Sequence, residues 1–384
     1  MGVKSNSILQ VVSGWQAVQL FFECIYLGLW QLIQLAIKRL WKGHRRKMSN
    51  SAPPVELTVD SSIGIHCYIK IMGVKYHYVE TGPKSGQLIL ILGDAPDTGN
   101  LWVPTWSSAV RRLAENGYHV ITLDLRGSGG SETGNRRDLT PPKAVGELAA
   151  LLKALGVTET HPAIVIGFGI GGMLTWYFVH CYGSIVSKFI VANAPHPNLY
   201  WLHPPAAFCH RSLHFIQWPY FPERWLAQGE IKNNTKWASS RARDWSGALN
   251  YVRGAAWYRI HPDHKVQPRG LLIGGKESAA QLVASAQHCN GPAFRLVTKP
   301  EPGDKDVPLH VLDFIVGKSR KKKQSEDIPR GLVTRMLEAV ADRGREFTFL
   351  FINSQASRIS RKILRVGVYF RVIYSVYTAL YVRN

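Results

Sequence analysis

The strongest chemical signal in the sequence is AIVIGFGIGGMLTWYFVH, residues 163–180, which predicts a buried strand, a glycine-rich turn and a helix. Gly167, Gly169 and Gly172 match G-x-G-x-x-G, the pattern of a loop that holds dinucleotide phosphates at a helix N-terminus. They also match G-x-Nu-x-G, a sharp strand-to-helix turn that carries a catalytic nucleophile, with Gly169 in the nucleophile position. The first interpretation predicts a cofactor loop. The second predicts a catalytic turn from which the reactive atom is missing.

Histidine is the other residue type that is concentrated enough to suggest chemistry. The histidines between residues 196 and 264 are His196, His203, His210, His214, His261 and His264. None of them forms an H-x-x-x-H helix with a carboxylate partner, so no metal site is predicted. We expect His203 and His210, which have Trp, Tyr and Phe neighbours, to line an apolar cleft.

The composition favours an anionic partner, because the chain of 384 residues carries a formal net charge of +21. Such an excess suits either nucleic acid or a membrane surface. The cysteines are scattered, without a C-x-x-C pair, at Cys24, Cys67, Cys181, Cys209 and Cys289. This spacing predicts neither a disulfide framework nor a zinc site, and it fits a reducing, cytosol-facing location.

Residues 15–37, WQAVQLFFECIYLGLWQLIQLAI, carry one formal charge, at Glu23, and are long enough to cross a bilayer as a helix. A polar stripe follows one side of this helix and consists of Gln16, Gln19, Glu23, Gln31 and Gln34, continued by Lys38. The stripe permits a span packed on a partner, half of a hairpin, or a helix in the membrane interface. A buried helix of a soluble protein is the remaining alternative.

Basic residues are concentrated after this segment, at Lys38, Arg39, Lys42, Arg45, Arg46 and Lys47, with only Lys4 before it. By the positive-inside rule, the body that follows is expected on the cytosolic side of the membrane.

The chain from residue 60 to residue 317 predicts an α/β domain. Apolar runs occur in QLILILGD (87–94), YHVITLDLRGSGGSE (118–132), AIVIG, SKFIVANAP and RGLLIGG (269–275), and helical stretches lie between them. This alternation predicts a mostly parallel sheet with helices on both faces. A β-hairpin around Met72-Gly73 is expected before these strands, and residues 199–266, rich in Trp, Tyr, His and Pro, predict an inserted helical cap.

The predicted organisation follows from these features and from two charged or amphipathic segments near the C-terminus. It comprises a short N-terminal segment (1–14), a membrane anchor helix (15–37), a basic juxtamembrane linker (38–59), the first part of the core (60–198), the cap (199–266), the second part of the core (267–317), a basic linker (318–327) and a tail (328–384). The tail is interpreted as an amphipathic, membrane-seeking segment. A last helix that covers the sheet is the alternative for the tail.

The dinucleotide interpretation fails on its context. It requires the glycine loop after the first strand and an acidic residue about twenty positions later to bind the ribose. Here at least two sheet strands precede Gly167, and the next strand ends in Ala192 and Asn193 without a carboxylate.

The motif order instead matches a known family. SIGIHCYIKIMGVKYHYVETG, VITLDLRGSGGSET, VIGFGIGGM, FIVANAPHPN, WPYFPE and SGALNYVR resemble the epoxide hydrolases of the α/β-hydrolase superfamily, specifically the membrane-anchored type, over residues 60–317. The resemblance implies the α/β-hydrolase fold, a mostly parallel sheet with an inserted cap. It also implies an aspartate nucleophile that opens the epoxide, and a histidine, oriented by an acid, that activates the hydrolytic water. Two cap tyrosines would bind the epoxide oxygen, and backbone amides would stabilise the oxyanion.

This chain departs from the family pattern at most of those positions. The turn G-H-D-x-G-G reads GFGIGG here, which puts Phe168 and Gly169 in the histidine and nucleophile positions. Glycine has no side-chain atom that can attack a substrate. The family loop H-G-x-P reads GDAP, so Asp94 brings a carboxylate close to the place where an oxyanion would develop.

The remaining positions are aligned by the same resemblance. Glu277 takes the place of the orienting acid, and Asp304 takes that of the base histidine, with His310 six residues later as a candidate displaced base. Val252 occupies a cap tyrosine position, with Tyr251 one residue earlier. The second cap tyrosine would fall near Ser212 or Phe215. Because catalytic groups act as a unit, loss of one of them removes most of the rate enhancement. These replacements therefore predict loss of the family's epoxide hydrolysis.

The sequence therefore predicts a membrane-anchored pseudoenzyme that binds a lipophilic ligand or a partner protein, without a cofactor or a metal. The alternative is a hydrolase of lipophilic epoxides or esters that uses relocated groups such as Glu277 and His310. A dinucleotide-binding reductase is set aside. The expected partners include membrane lipids but no nucleic acid, and the expected location is an endoplasmic reticulum-type membrane with the body facing the cytosol.

Overall fold

The computed structural model of the protein describes residues 8–42, 64–93, 107–201, 210–227, 242–275, 279–291, 293–297 and 306–316. The chain divides into two units, residues 1–319 and 320–384, and every described residue belongs to the first unit. The predicted basic linker at 318–327 and the tail at 328–384 lie outside the described residues.

The described elements alternate between strands and helices. In chain order they are β1 (Leu9–Val11), α1 (Gly14–Lys42), β2 (Ile65–Ile71), β3 (Val74–Thr81), β4 (Leu88–Leu92), α2 (Ser107–Glu115), β5 (His119–Leu123), α3 (Pro141–Ala154), β6 (Ala163–Phe168), α4 (Gly169–Tyr182), β7 (Val186–Ala192), α5 (Pro197–Tyr200), α6 (His210–Ile216), α7 (Phe221–Ala227), α8 (Ala242–Ala255), β8 (Tyr258–Ile260), β9 (Arg269–Gly275), α9 (Ala279–Ala286), β10 (Ala293–Val297) and α10 (Asp306–Val316).

An eight-stranded sheet organises this unit, in the spatial order β10-β9-β7-β6-β4-β5-β3-β2. Neighbouring strands from β10 to β5 are parallel, whereas β3 pairs antiparallel with β5 and β2 closes the edge as an antiparallel hairpin strand. The predicted α/β class and mostly parallel sheet are confirmed. The parallel strands direct their carboxyl ends to one edge, where ligand sites of such sheets form.

The central strands β4, β5 and β6 are buried on both faces of the sheet, as their apolar sequences require. Strand β4, LILIL, shows the arrangement: Leu88, Leu90 and Leu92 point into one hydrophobic cluster, and Ile89 and Ile91 point into the other. Successive side chains of a strand point to opposite faces, so one continuous apolar run serves both clusters. Helices α3 and α4 cover the first face, and α2 and α10 cover the second.

The segment predicted as a helical cap, residues 199–266, contains helices α6, α7 and α8 and also the short strand β8. Strand β8 pairs antiparallel with β1, with Leu9 opposite Ile260 and Val11 opposite Tyr258. The sequence does not reveal this second small sheet, because strands of three residues are too short to show a periodic pattern.

Helix α1 follows β1 directly and packs against cap helix α6. Among the described residues it is the one helix long and apolar enough to cross a membrane, over Gly14–Ile37, and within that stretch only Leu20, Cys24 and Gly28 are buried. It could therefore anchor the protein to a membrane by length and composition.

Candidate active site

The glycine turn has the backbone of a nucleophile elbow. Strand β6 ends at Phe168, whose backbone is extended, and helix α4 begins at Gly169, whose φ is +48°. This left-handed conformation is unfavourable for most side chains, with Asn and Asp tolerated best after glycine. In the nucleophile position the elbow therefore presents a bare Cα atom. Phe168 is buried in the apolar cluster on one face of the sheet.

Glycines on either side of Gly169 allow three strands and a helix to meet at this turn. A Cβ atom on Gly171 would lie 2.6 Å from the carbonyl oxygen of Gly93, at the end of β4. A Cβ atom on Gly172 would lie 2.7 Å from the Cβ of Ala194, just after β7, and one on Gly167 would lie 2.5 Å from the carbonyl oxygen of Gly171. The close packing of the elbow is thus complete, although its nucleophile position has no side chain.

The elbow lies at the carboxyl edge of the sheet, where several predicted site residues follow their strands. Asp94 comes one residue after Gly93, and Glu277 comes two residues after the end of β9. Asp94, Glu277 and Asp304 all lie outside the described residues. Within the described part of this edge, Asn193 has a φ of +53° and its backbone N–H donates to the carbonyl oxygen of Ile273 at 3.0 Å. The cavity that Asn193 and Ile273 line at this edge measures about 10 Å³, roughly the space of one water molecule.

The cap helix α8 carries the residues that the alignment places at a tyrosine position. Val252 is fully buried in the main hydrophobic cluster. Tyr251 is buried beside Glu147 and Arg126, and burial raises the pKa of its hydroxyl. Glu147 accepts a hydrogen bond from Nη1 of Arg126 at 2.9 Å and a short one from the hydroxyl of Tyr76. The tyrosine of α8 therefore belongs to a buried polar network between the cap and the core.

The two other cap positions and the candidate base are placed as follows. Phe215, in α6, is fully buried, and the side chain of Ser212 lies outside the described residues. His310 lies inside helix α10, four residues after its first residue Asp306, and is partly buried. A helical position fixes its side chain on the helix surface, unlike the loop after a strand that the family alignment implies.

A chain of histidines, two buried (His180 and His196) and two partly buried (His264 and His288), joins four parts of the fold, and the sequence does not reveal it. The backbone N–H of Asn198 donates to Nδ1 of His196 at 3.3 Å, so the proton of a neutral His196 is on Nε2. That nitrogen lies 3.1 Å from Nε2 of His180, and Nδ1 of His180 lies 2.8 Å from Nδ1 of His264. The ring of His288 stacks on His196, with centroids 3.6 Å apart.

Desolvation controls the charge of these histidines. Burial lowers the pKa of His180 to about 3, with smaller contributions from His264 and His288. It also lowers the pKa of His288 to about 4, assisted by Lys265. The pKa of His196 falls well below its ordinary value for the same reason. The cluster is therefore neutral near pH 7, and no group of three His, Cys, Asp or Glu side chains in the described residues is arranged to hold a metal ion.

The remaining histidines of this region have other environments. His214 is buried and lies 3.3 Å from the carboxylate of Glu23 in α1. His261 is partly exposed on the loop after β8 and faces Asp263 at 3.9 Å. His203 and the side chain of His210 lie outside the described residues, so the predicted apolar cleft remains a prediction.

The sheet order, the elbow and the inserted cap together define an α/β-hydrolase fold. The sequence profile described as "Alpha/beta hydrolase family" matches residues 89–342. The chain belongs to the α/β-hydrolase family.

Within this family, the chain is similar to epoxide hydrolases. It is 33% identical to Epoxide hydrolase 4 of Homo sapiens over 228 residues, which cover 56% of this chain and 60% of that protein. It is 32% identical to Epoxide hydrolase 3 of Xenopus tropicalis over 194 residues, which cover 48% of this chain and 50% of that protein. The chain thus spans only part of the length of these relatives, and it is an epoxide hydrolase-like member of the family.

Solved structures support the fold. An epoxide hydrolase from Vigna radiata superposes with a TM-score of 0.52 at 17% identity, covering 67% of this chain and 99% of that one. A putative alpha/beta hydrolase from Nostoc superposes with a TM-score of 0.55 at 14% identity, covering 65% of this chain and 97% of that one.

Proposed function

We propose that this protein is a membrane-associated pseudoenzyme of the epoxide hydrolase type, which binds a lipophilic ligand or a partner protein beneath its cap. The observation that carries this proposal is Gly169, which occupies the nucleophile position of a fully packed elbow and has no side chain. Without a nucleophile no covalent intermediate forms, and only the small rate enhancement from binding and orientation remains.

The accompanying positions support the same proposal. Val252 supplies no hydroxyl in the cap position, and Tyr251 is committed to the network of Glu147 and Arg126. By the family alignment, Asp94 would add negative charge near the place where an oxyanion is stabilised, which would oppose that transition state. For location, the apolar helix α1 and the basic residues that follow it support attachment to the anionic cytosolic face of an endoplasmic reticulum-type membrane, with the body in the cytosol.

The test measures turnover by the purified full chain with a lipophilic epoxide and with a lipophilic ester. We expect no diol and no ester hydrolysis above the uncatalysed rate. Turnover that is lost on His310→Ala or Glu277→Gln would contradict the proposal and establish a hydrolase with relocated groups.

A Gly169→Asp variant tests whether the site still accepts an epoxide. Aspartate tolerates the left-handed backbone at this position, and its carboxylate oxygen can attack a ring carbon. The ring C–O bond breaks, the ring oxygen takes a proton from water, and an ester to the protein remains. Because no histidine follows the last strand in the family position, we expect this ester to persist and to add the mass of one epoxide. Gly169→Asn is the matched control, with the same shape and no nucleophilic carboxylate.

The two forms of the proposed function give different results in this variant. A mass adduct on Gly169→Asp and none on Gly169→Asn would favour a lipophilic ligand as the natural occupant. Absence of the adduct would favour a partner protein.

A further inference from the structure

Helix α1 has an inverted pattern of exposure for a helix packed on a folded domain. Every exposed residue between positions 18 and 37 is Val, Phe, Ile, Tyr, Leu, Trp or Ala. The polar residues Gln19, Glu23, Gln31 and Gln34 are all partly buried. A helix of a water-soluble domain shows the opposite pattern, with its apolar stripe toward the core.

The inner side of α1, which is the side that faces the folded body, contacts the cap in the middle of the helix. Gly28 leaves a notch in the helix surface, and the indole of Trp218 fills it, since a Cβ atom on Gly28 would lie 2.7 Å from Cδ1 of the ring and closer still to Nε1. The indole N–H of Trp218 donates to the backbone carbonyl of Cys24 at 2.8 Å. Leu20 and Cys24 are buried beside this contact.

The single charge of the apolar segment also points to the cap. Glu23 accepts a hydrogen bond from Gln19 at 3.0 Å and lies 3.3 Å from Nε2 of the buried His214. At the N-terminal end, β1 fixes the start of the helix to β8, and the backbone N–H of Val12 donates to the carbonyl oxygen of Trp257 at 3.0 Å. The helix is thus fastened to the body at its beginning and in its middle.

The contact with Trp218 continues into the buried polar groups of the cap. The carbonyl oxygen of Trp218 accepts from Nη2 of Arg253 at 2.6 Å, and Nη1 of Arg253 donates to the buried Glu223 at 2.6 Å. If α1 crossed a bilayer while docked, this ion pair and His214 would be brought toward the hydrocarbon. Charged groups in the hydrocarbon cost several kcal/mol each, so the docked helix and a transmembrane helix are incompatible.

We infer that α1 is an in-plane membrane-binding element of the cap, which lies in the interface of an anionic bilayer with its inner side held by Trp218, Cys24, Glu23 and His214. The inference rests on the membrane association proposed above, and it selects the interfacial arrangement among those the sequence leaves open.

The exposed side of α1 and the basic residues that follow the helix both favour a lipid membrane as the partner of this side. Trp15, Phe22, Tyr26 and Trp30 are exposed, and aromatic side chains of this kind concentrate at membrane interfaces. Basic residues at the end of the helix and just after it, Lys38 to Lys47, complement anionic headgroups at about 1 kcal/mol each near the surface. The cap would then face the membrane, so a lipophilic ligand could enter it from the bilayer.

The experiment uses the full chain and phosphatidylcholine vesicles with or without phosphatidylserine. Flotation with the vesicles tests membrane association itself. A fluorescent amino acid placed singly at Trp15, Phe22, Leu29 or Ile37 is then quenched by lipids brominated at shallow or deep acyl positions. We expect flotation to increase with phosphatidylserine and all four positions to be quenched at the same shallow depth.

The outcomes separate the two proposals. No flotation would overturn both the membrane association and this inference. Flotation with deep quenching at Phe22 and Leu29 and shallow quenching at Trp15 and Ile37 would show a crossing helix, which overturns the inference and leaves membrane association standing.

A matched pair of substitutions tests the docked side. Gly28→Ala places a methyl group against the Trp218 indole, whereas Gly14→Ala in the same helix meets nothing within 4 Å. We expect Gly28→Ala to raise amide hydrogen exchange in α6 several-fold while vesicle binding persists, and Gly14→Ala to change neither. Trp218→Phe, which keeps a ring but removes the N–H donor, should give an intermediate increase. Unchanged exchange in both Gly28→Ala and Trp218→Phe would overturn the inference.

Discussion

The glycines next to Gly169 are required by contacts that a single methyl group would break. Around Gly171 the neighbouring atoms are backbone carbonyl oxygens at the end of β4, which cannot move without shifting the strand. These contacts explain why glycine is needed at Gly167, Gly171 and Gly172. The reason for glycine at Gly169 is different, since there the relevant feature is the left-handed backbone, with a φ of +48°.

We predict that Gly171→Ala destabilises the protein by about 1–3 kcal/mol, the usual cost of overpacking a close contact. The matched control is Gly146→Ala in helix α3, where an added methyl meets nothing within 4 Å. That control should stabilise the protein by up to about 1 kcal/mol through helix propensity. Urea unfolding of both variants measures the difference. Equal midpoints for the two variants would show that the elbow is loosely packed.

At the scale of elements, the histidine chain connects parts of the fold that are distant in sequence. His180 belongs to the elbow helix α4, His196 precedes α5, His264 follows β8 and His288 follows α9. Neutral His196 and His180 each donate through one nitrogen and accept through the other, so these hydrogen bonds are satisfied only while both rings are uncharged. Protonation would place two donors against each other and charge a buried site.

This arrangement predicts loss of stability in acid. In the unfolded chain these histidines take up protons near pH 6.5, while in the folded protein the pKa of His180 is about 3 and that of His288 is about 4. The unfolded state therefore binds more protons between these values, and stability falls as the pH decreases through that window. The expected slope is about 1.4 kcal/mol per pH unit for each histidine that stays neutral when folded.

Urea midpoints at several pH values between neutral and mildly acidic measure this slope. The groups that face the cluster include Lys265, beside His288, and His261, beside His264, and both oppose further positive charge. His180→Gln should lower stability at neutral pH and reduce the slope. A stability that is independent of pH across the window would contradict the neutral cluster.

At the scale of the whole molecule, the N-terminal region belongs to the folded unit. Strand β1 completes the small sheet with β8, and α1 covers part of the cap. An apolar helix near the N-terminus is usually interpreted as an independent anchor, which could be removed without consequence for the body. Here Leu9, Val12, Leu20 and Cys24 are buried against that body.

We predict that removal of residues 1–42 lowers the free energy of unfolding by at least about 2 kcal/mol, since each buried apolar side chain contributes about 1.5–3 kcal/mol. The comparison is the full chain with Phe22→Ser and Tyr26→Ser, which changes only exposed residues of α1. That variant should lose vesicle binding and keep its stability within about 0.5 kcal/mol. Thermal unfolding in detergent together with flotation measures both properties. A truncated chain as stable as the full one would contradict the integrated N-terminus.

The sequence by itself determined the fold class and the central feature of the candidate site. Apolar runs of five to seven residues fix strands that are buried on both faces, and the glycine pattern fixes the elbow, because both depend on local spacing. The absence of a reactive side chain at Gly169 is likewise a property of residue type alone.

Only the tertiary structure decided which distant groups meet. It brought His180, His196, His264 and His288 together. It also paired β1 with β8, although about 250 residues of sequence separate the two strands. It also showed that Glu23, in the middle of the polar stripe of α1, contacts His214 of the cap, which the sequence pattern could not reveal. The physical reason is that the spacing of apolar and polar residues shows which side of a helix or strand is apolar and which is polar. The element that packs against each side is set by the packing of the whole chain.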